Sequence, residues 1–406
     1  MEEPIQNPAQ PEQPNKAKHR SRIVPLLLAG MWLASLALTA ALTVVFLRTS
    51  GASELDILAD AMALIRDNYY FYKQEDDHMI DGAIAGMADS FGDVYTEYYT
   101  KDEYAELTRS NSGYYTGIGI VVTRIELGVY QITTVYSGTP AERAGILAGD
   151  YLIRINDVSA EGLELDAFLD AMNTEIGKEN TLVLRRGEEQ ITVTVASEEV
   201  YSPSVSEEML TDTIGYIRLS GFHGECVTEM KEAIEALREQ GMESLVFDLR
   251  GNPGGSLYDA RDIADLFLPK GAIITTLRTR DEITETLSAR TEGFEFPVVV
   301  LVNAGSASAS ELVTGALQDN GRAYVIGTRT FGKGIVQTYV PVAATGGYIK
   351  MTTEAYYTPS GVCIHEIGIT PDETVELPTT EDGLWTGEDT QLAAAIAHLE
   401  RQDAKK

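Results

Sequence analysis

Residues 296–326 read as strand, helix, strand, and this stretch constrains the fold more than any other. Phe296-Pro297-Val298-Val299-Val300-Leu301-Val302 is the continuous apolar run expected of a strand covered on both faces. The helix that follows carries Leu312, Val313, Ala316 and Leu317 at core spacing, and residues 323–326 form the second apolar strand. Two such strands joined through a helix belong to a layered α/β fold whose sheet is at least partly parallel. Ser308 falls where the first strand hands over to the helix, and Lys333 follows the second strand between Gly332 and Gly334. Free N–H groups and the positive end of the helix dipole face outward at such junctions, which therefore collect ligands and chemistry. Ser308 and Lys333 are the candidate nucleophile and general base.

Both residues have competing structural readings. With Glu311 three positions on, Ser308 fits a capping box, and Ser306 and Ser310 compete for either role. A cap alone does not explain small residues on both sides of Ser308, which a tight turn needs if a substrate is to reach the hydroxyl. Residues 327–333 spell G-x-x-x-x-G-K, the opening of the phosphate loop of a P-loop NTPase. Gly334 supplies no hydroxyl for Mg²⁺, and a β-branched run, 335–340, stands where that loop requires a helix. Lysine serves as a general base only when neutral, so its pKa has to fall from about 10.4 to about 7–8. Burial beside apolar walls can supply that, and Phe331 and Ile335 are the neighbours placed to form them. Gln337 would share a strand face with Lys333 and orient its amine. Asp248-Leu249-Arg250-Gly251-Asn252-Pro253-Gly254-Gly255 is another strand end and glycine turn, where backbone N–H groups can approach a developing oxyanion.

The formal charge of −31, from 31 Lys+Arg against 62 Asp+Glu, excludes a nucleic-acid partner, whose phosphates need a basic surface. Residues 1–22, with four prolines and no apolar periodicity, read as a disordered tail. After Lys16, Lys18, Arg20 and Arg22 come residues 23–47 without a charge. As a helix they span about 37 Å, enough to cross a bilayer with some tilt. The run exceeds the apolar region of about 7–15 residues in a cleaved signal peptide, so an uncleaved signal anchor is expected. Only Arg48 flanks the far side, which puts the tail in the cytoplasm and the rest outside the cell membrane. Cys226 shares a helical face with Met230, Ala233 and Leu237, as a buried free thiol would, and Cys363 lies far away in sequence. The five histidines show no metal-ligand spacing, and neither metal nor cofactor is expected.

Leu55, Leu58, Met62, Ile65 and Tyr69, then Ile80, Ile84, Met87 and Phe91, predict two amphipathic helices that either cap the next domain or form a homodimer contact. An aromatic corner, Asp93-Val94-Tyr95-Thr96-Glu97-Tyr98-Tyr99, closes this region. From Gly113 the period changes to that of strands, punctuated by the loop Gly117-Ile118-Gly119-Ile120. Residues 137–157, with P-A-x-x-A-G-I and G-D-x-L-x-x-I-N, resemble a PDZ domain. That resemblance implies that Gly117, Ile118, Gly119 and Ile120 hold a peptide's terminal carboxylate while the peptide adds a strand to the sheet edge.

GSASASE, FGKGIVQ, LRGNPGG and YYTPSG with GITPD together resemble the carboxyl-terminal processing, or tail-specific, proteases over residues 54–375. The resemblance implies a serine endopeptidase with a Ser308/Lys333 dyad assisted by Gln337, and an oxyanion hole made by the N–H groups of Ala309 and Gly254. It also implies protein or peptide substrates with small or apolar C-termini. The chain departs from the family pattern at Val94, usually proline, and at Val362-Cys363-Ile364-His365, usually serine-isoleucine-histidine. The expected architecture is an α/β multidomain chain: tail 1–22, transmembrane anchor 23–47, helical region 48–110, β-rich PDZ domain with two helices 111–199, layered protease domain 200–378, and closing helix and tail 379–406. Two other classes are a catalytically silent PDZ scaffold, against which the intact Ser308, Lys333 and Gln337 argue, and a P-loop NTPase, against which Gly334 argues.

Overall fold

The computed structural model describes residues 32, 35, 36, 38, 39, 53–73, 78–378 and 387–403. No helix among them is long and apolar enough to cross a membrane, and most of the predicted anchor, 23–47, lies outside the described residues. The chain divides into two units, Met1–Ile80 and Asp81–Lys406. In the first, α1 (Glu54–Asn68) opens on a Ser53 cap whose hydroxyl accepts from the Asp56 N–H, and none of its side chains is buried.

The predicted second helix appears as α2 (Met79–Asp89), followed by β1 (Glu97–Tyr99) and α3 (Lys101–Asn111). Next come β2 (Tyr114–Gly117), β3 (Ile120–Glu126), β4 (Val129–Val135), α4 (Pro140–Arg143), β5 (Tyr151–Ile155), β6 (Val158–Ser159), α5 (Leu165–Leu169), β7 (Glu179–Arg186), β8 (Glu189–Ala196) and β9 (Glu198–Tyr201). Pro140 sits in the first turn of α4, where its missing N–H costs nothing, and Gly145 takes φ +76° beyond its end. Strand order is β3-β4-β5-β7-β8, so β3 is an edge. Tyr130 and Phe168 stack at 5.2 Å in the core beneath this sheet. The second of the two helices expected in this domain is α5, only five residues long.

The larger part of the second unit continues with β10 (Val205–Met209), β11 (Ile214–Leu219), α6 (Cys226–Glu239), β12 (Ser244–Asp248), α7 (Leu257–Asp265), β13 (Ile273–Arg278), β14 (Ile283–Ser288), β15 (Val298–Val302), α8 (Ala309–Asp319), β16 (Ala323–Gly327), β17 (Ile335–Val342), β18 (Gly347–Tyr357), β19 (Glu373–Thr374) and α9 (Thr390–Asp403). One sheet runs β10-β11-β12-β15-β16-β19, parallel throughout except for the antiparallel edge β10. Every residue of β12 and β15 is buried because both faces are covered. Ile217, Phe247, Val300 and Val302 pack under α6, α7 and α8, while Val246, Val299, Leu301 and Ile326 face Ala395 and Leu399 of α9. A second sheet, β1-β18-β13-β14 with β17 on β18, brings Glu97–Tyr99 against the 347–357 strand. Cys226 is a buried free thiol, and burial pushes its pKa up to about 12; Cys363 is also free.

One ion-pair network ties the closing helix to the loop after β12. Arg250, nearly buried, bonds Asp248 and reaches Asp389 at 2.8 and 2.9 Å and Gln391 at 3.1 Å. Asp389 also caps α9 by accepting from the Leu392 N–H. Burial alone would raise the Asp389 carboxyl, but the bonds from Arg250 and Leu392 outweigh it and hold its pKa below the ordinary value. A depressed carboxyl contributes stability that is present above its unfolded pKa, about 3.9, and lost as pH falls through the folded value. Asp389→Ala is expected to cost about 1.5–3 kcal/mol near neutral pH and to flatten the acid side of the stability profile. Urea unfolding at several pH values measures both, and a parental profile would contradict the clamp.

Candidate active site

The candidate residues lie beyond the C-terminal ends of three adjacent parallel strands, where open α/β sheets place their ligands. β12 leads into the Gly251–Gly255 turn, β15 into Ser308, and β16 into Lys333. The competing serines separate by burial. Ser306 Oγ donates to the Leu249 carbonyl at 2.8 Å and Ser310 Oγ to the Asn252 carbonyl at 2.9 Å, both fully buried, whereas Ser308 is partly exposed. Ser308 sits at φ +56°, ψ −115°, a backbone state that costs a non-glycine residue about 1–3 kcal/mol and persists only where its surroundings impose it.

Glu311 and Tyr356 impose it. The fully buried Glu311 carboxylate accepts from the Ser308 N–H at 2.8 Å, completing the reciprocal half of the predicted capping box. It also accepts from the Lys333 N–H at 2.8 Å, the Gly332 N–H at 2.7 Å and the Thr330 hydroxyl at 2.6 Å. From the opposite side the buried Tyr356 hydroxyl donates to the carbonyls of Ser308 at 2.8 Å and Lys333 at 2.6 Å. The backbones of the candidate nucleophile and base are thus joined through one carboxylate and one phenol. Sequence spacing marks Glu311 only as a cap and gives Tyr356 no role in the site, because no spacing signal connects α8 to a loop 22 residues beyond Glu311 or Ser308 to a strand 48 residues beyond it.

Lys333 lies in the loop before β17 rather than on the strand, so the face it was expected to share with Gln337 does not exist. The chain bulges between Val336 and Gln337, and the Gln337 amide donates to Thr352 Oγ1 at 3.3 Å. Phe331, expected to wall off the lysine, is 58% exposed. The ring over Lys333 is that of Tyr95, its centroid 4.5 Å from Nζ. Burial, then the Lys350 ammonium, push the Lys333 pKa below its ordinary value, and Asp93 pulls it back. The span 327–333 runs from strand to strand with no helix after Lys333, the arrangement that a phosphate-binding loop lacks.

Of the two expected oxyanion donors, the Ala309 N–H has no hydrogen-bond partner among the described residues. The Gly254 N–H is engaged with Asn252 Oδ1 at 2.9 Å. Glycine is required at 254: φ is +105°, and a Cβ there would stand 2.8 Å from the Ser308 Cβ. In the loop expected to hold a carboxylate, Gly117 ends β2 and Ile120 begins β3. Gly119 takes φ +88°, and a Cβ there would strike Thr139 at 2.4 Å. The Ile118 and Gly119 carbonyls accept from Ala141 and Tyr136, which orients the loop, and the Ile118 side chain is buried in the core. The Tyr115 ring packs on Gly117. Burial, reinforced by Tyr136, pushes its phenol up to about 12. Arg124 of β3 pairs with Glu164 beside α5. No group of acidic, histidine or cysteine side chains among the described residues could hold a metal ion.

A serine presented on a strained strand-to-helix turn beside a half-buried lysine, in a chain that also carries a PDZ-like sheet with a free edge, is the arrangement of a serine-type peptidase. Peptidase family S41 matches residues 213–375, and a PDZ domain matches residues 131–186. A carboxy-terminal-processing protease of Bartonella bacilliformis (strain ATCC 35685 / KC583 / Herrer 020/F12,63) is 36% identical over 315 residues, 76% of this chain and 72% of that protein. A CtpA-like serine protease of Staphylococcus aureus (strain COL) is 34% identical over 335 residues, 82% of this chain and 67% of the relative. The crystal structure of an S41 protease from Bacteroides fragilis NCTC 9343, 18% identical, shares the fold with a TM-score of 0.53 over 83% of this chain and 92% of that one. The chain belongs to the carboxyl-terminal processing protease family and is a serine-type peptidase.

Glu311→Gln replaces one acceptor oxygen with an NH₂ group that faces N–H donors. The substitution is expected to cost about 1–3 kcal/mol of stability, seen as a lower urea midpoint at unchanged slope. Turnover by the folded fraction should fall as well; parental stability and turnover together would rule out the linking role.

Proposed function

We propose that the chain is a membrane-anchored extracytoplasmic endopeptidase that captures substrate C-termini through its PDZ domain and cleaves with a Ser308/Lys333 dyad. The observation that carries this reading is the pairing of the Ser308 and Lys333 backbones through Glu311 and Tyr356, beside a free Ala309 N–H. Neutral Lys333 takes the Ser308 proton, Ser308 Oγ attacks the peptide carbonyl, and the oxyanion forms against the Ala309 N–H. The Lys333 ammonium then protonates the leaving amine, and the acyl-enzyme is hydrolysed by a water that Lys333 activates. To serve as a second oxyanion donor the Gly254 N–H has to exchange Asn252 for the oxyanion, and Gln337 has to exchange Thr352 for the lysine if it orients that amine.

Substrate capture follows from the free edge of β3 and the loop 117–120. A peptide that adds a strand there would bring its carboxylate to the N–H groups of that loop. The membrane reading rests on the uncharged residues 23–47 and on the Lys/Arg cluster that precedes them. Residues 1–22 are then cytoplasmic, and the peptidase faces outward.

The parent is expected to cut an unstructured peptide that ends in a small or apolar residue, while Ser308→Ala and Lys333→Ala each lose at least about 10³-fold in kcat/KM. Mass spectrometry of the products checks this, and cleavage by both variants would reject the dyad. Tight binding by the parent without turnover would favour a peptide-binding scaffold, and amidating the peptide C-terminus should weaken capture.

The base must be neutral to act, so activity rises with pH through the Lys333 pKa. Because that pKa is depressed, the half-maximal point is expected below the free-lysine value of about 10.4. A rate profile still climbing past that value would contradict lysine as base.

A further inference from the structure

Tyr95 lies far from the dyad in sequence, before the segment matched as a PDZ domain and outside the residues matched to the peptidase family. Its ring nevertheless covers Lys333 Nζ, 4.5 Å from the centroid. The turn that carries it is fixed on all sides. Asp93 accepts from the Tyr95 N–H at 2.9 Å and from the Thr96 hydroxyl at 2.7 Å, and Thr96 Oγ1 accepts from the Thr352 N–H of β18. Directly after it, β1 pairs with β18, and the Tyr98 hydroxyl bonds Asp81 and Thr345. Val94, where the family pattern has proline, points to solvent at 86% exposure, so the departure leaves the turn's inner face unchanged.

We propose that Tyr95 is a positioning residue for Lys333, its ring face holding the ammonium that forms when Lys333 takes the Ser308 proton. The inference rests on the dyad reading above. An aromatic face attracts a cation through its quadrupole and has no comparable attraction for a neutral amine. The ring therefore acts on only one of the two states of the base. Before proton transfer the neutral amine is free to turn to Ser308; as the proton moves from Ser308 Oγ to Lys333 Nζ and the Oγ–carbon bond forms, the new positive charge settles against the ring. When the ammonium passes its proton to the leaving amine, the attraction lapses. The other charges around Lys333 are the Asp93 carboxylate, which also favours the ammonium, and Lys350, which opposes it. His365 faces Asp93 from the loop after β18. Neither carboxylate nor histidine covers the amine as the ring does, and the helical region thereby supplies part of a catalytic centre whose dyad lies more than two hundred residues later.

The test measures kcat/KM against pH for the full-length chain, its Tyr95→Leu and Tyr95→Phe variants, and Lys333→Ala. Removing the ring face takes away a stabiliser of the ammonium, so in Tyr95→Leu the acid limb should move to lower pH by about 0.5–1 unit. A weaker base should also lower the plateau about 3- to 10-fold, chiefly in kcat. Tyr95→Phe keeps the face and should return the limb to the parent's position. Should Tyr95→Leu fail to fold, Tyr95→Met is read in its place, and titration of ¹³C-labelled Lys333 in a Ser308→Ala background reports the same shift without catalysis. A Tyr95→Leu or Tyr95→Met profile with the parent's limb would overturn the inference while leaving the dyad standing. Cleavage by Lys333→Ala would instead overturn the dyad and this inference with it.

Discussion

The site depends on one buried carboxylate. Glu311 has no cationic partner among the described residues, yet it is fully buried, a placement that costs several kcal/mol for an unpaired ion unless hydrogen bonds replace the lost water. Three backbone N–H groups and a threonine hydroxyl do so, and three of the four come from the 330–333 loop. The carboxylate is also three residues into α8, where the unsatisfied N–H groups and helix dipole favour negative charge. The same bonds that make its burial tolerable determine where the Ser308 and Lys333 backbones stand relative to each other. Loss of any donor would therefore be felt twice, in stability and in geometry.

Around that contact the fold uses the ends of the parallel sheet. β12, β15 and β16 are neighbours, so the loops that leave them meet without any long excursion. Each is braced differently: the β12 loop by Arg250 and the closing helix, the β15 loop by buried Ser306 and Ser310, the β16 loop by Glu311 and Tyr356. Glycine is required at 254, where a Cβ would stand 2.8 Å from the Ala307 carbonyl oxygen, and favoured at 332, where φ is +94° and a Cβ would crowd the Gly368 nitrogen at 3.0 Å. Rigid support from separate elements is what keeps a strained serine in place, since no local sequence preference would hold it there.

Much of this was legible in the sequence, and the reasons differ by element. The buried strands 298–302 and 244–248 and the helices 226–239 and 309–319 announce themselves by continuous apolar runs and helical spacing, because core packing enforces both. β13 and β14 do not announce themselves, because Ile-Ile-Thr-Thr-Leu-Arg is half polar with no clean alternation, while Ile-Thr-Glu-Thr-Leu-Ser is mostly polar and largely faces solvent. Ser308 and Lys333 could be singled out from their neighbours, but their partners could not. Gln337 was placed by strand periodicity, which fails because Lys333 precedes the strand and a bulge follows it. Phe331 adjoins Lys333 in sequence, yet adjacency in a loop says nothing about direction, and the ring that meets the lysine comes from Tyr95.

The aromatic corner at 93–99 therefore has two consequences at once. As packing, it adds β1 to the edge of β18 and seals the region around Thr345 and Thr352. As electrostatics, it sets an aromatic face and a carboxylate beside an amine that burial and Lys350 push toward neutrality. The two influences oppose each other, and a general base needs that opposition. A lysine wholly stripped of stabilisation would be neutral but too weak to accept a proton, whereas one too well paired would remain an ammonium and have none to accept. On the dyad reading, the chain approaches that intermediate condition by setting the Tyr95 ring against Lys333, so the order of the 93–99 corner bears directly on the basicity of the amine.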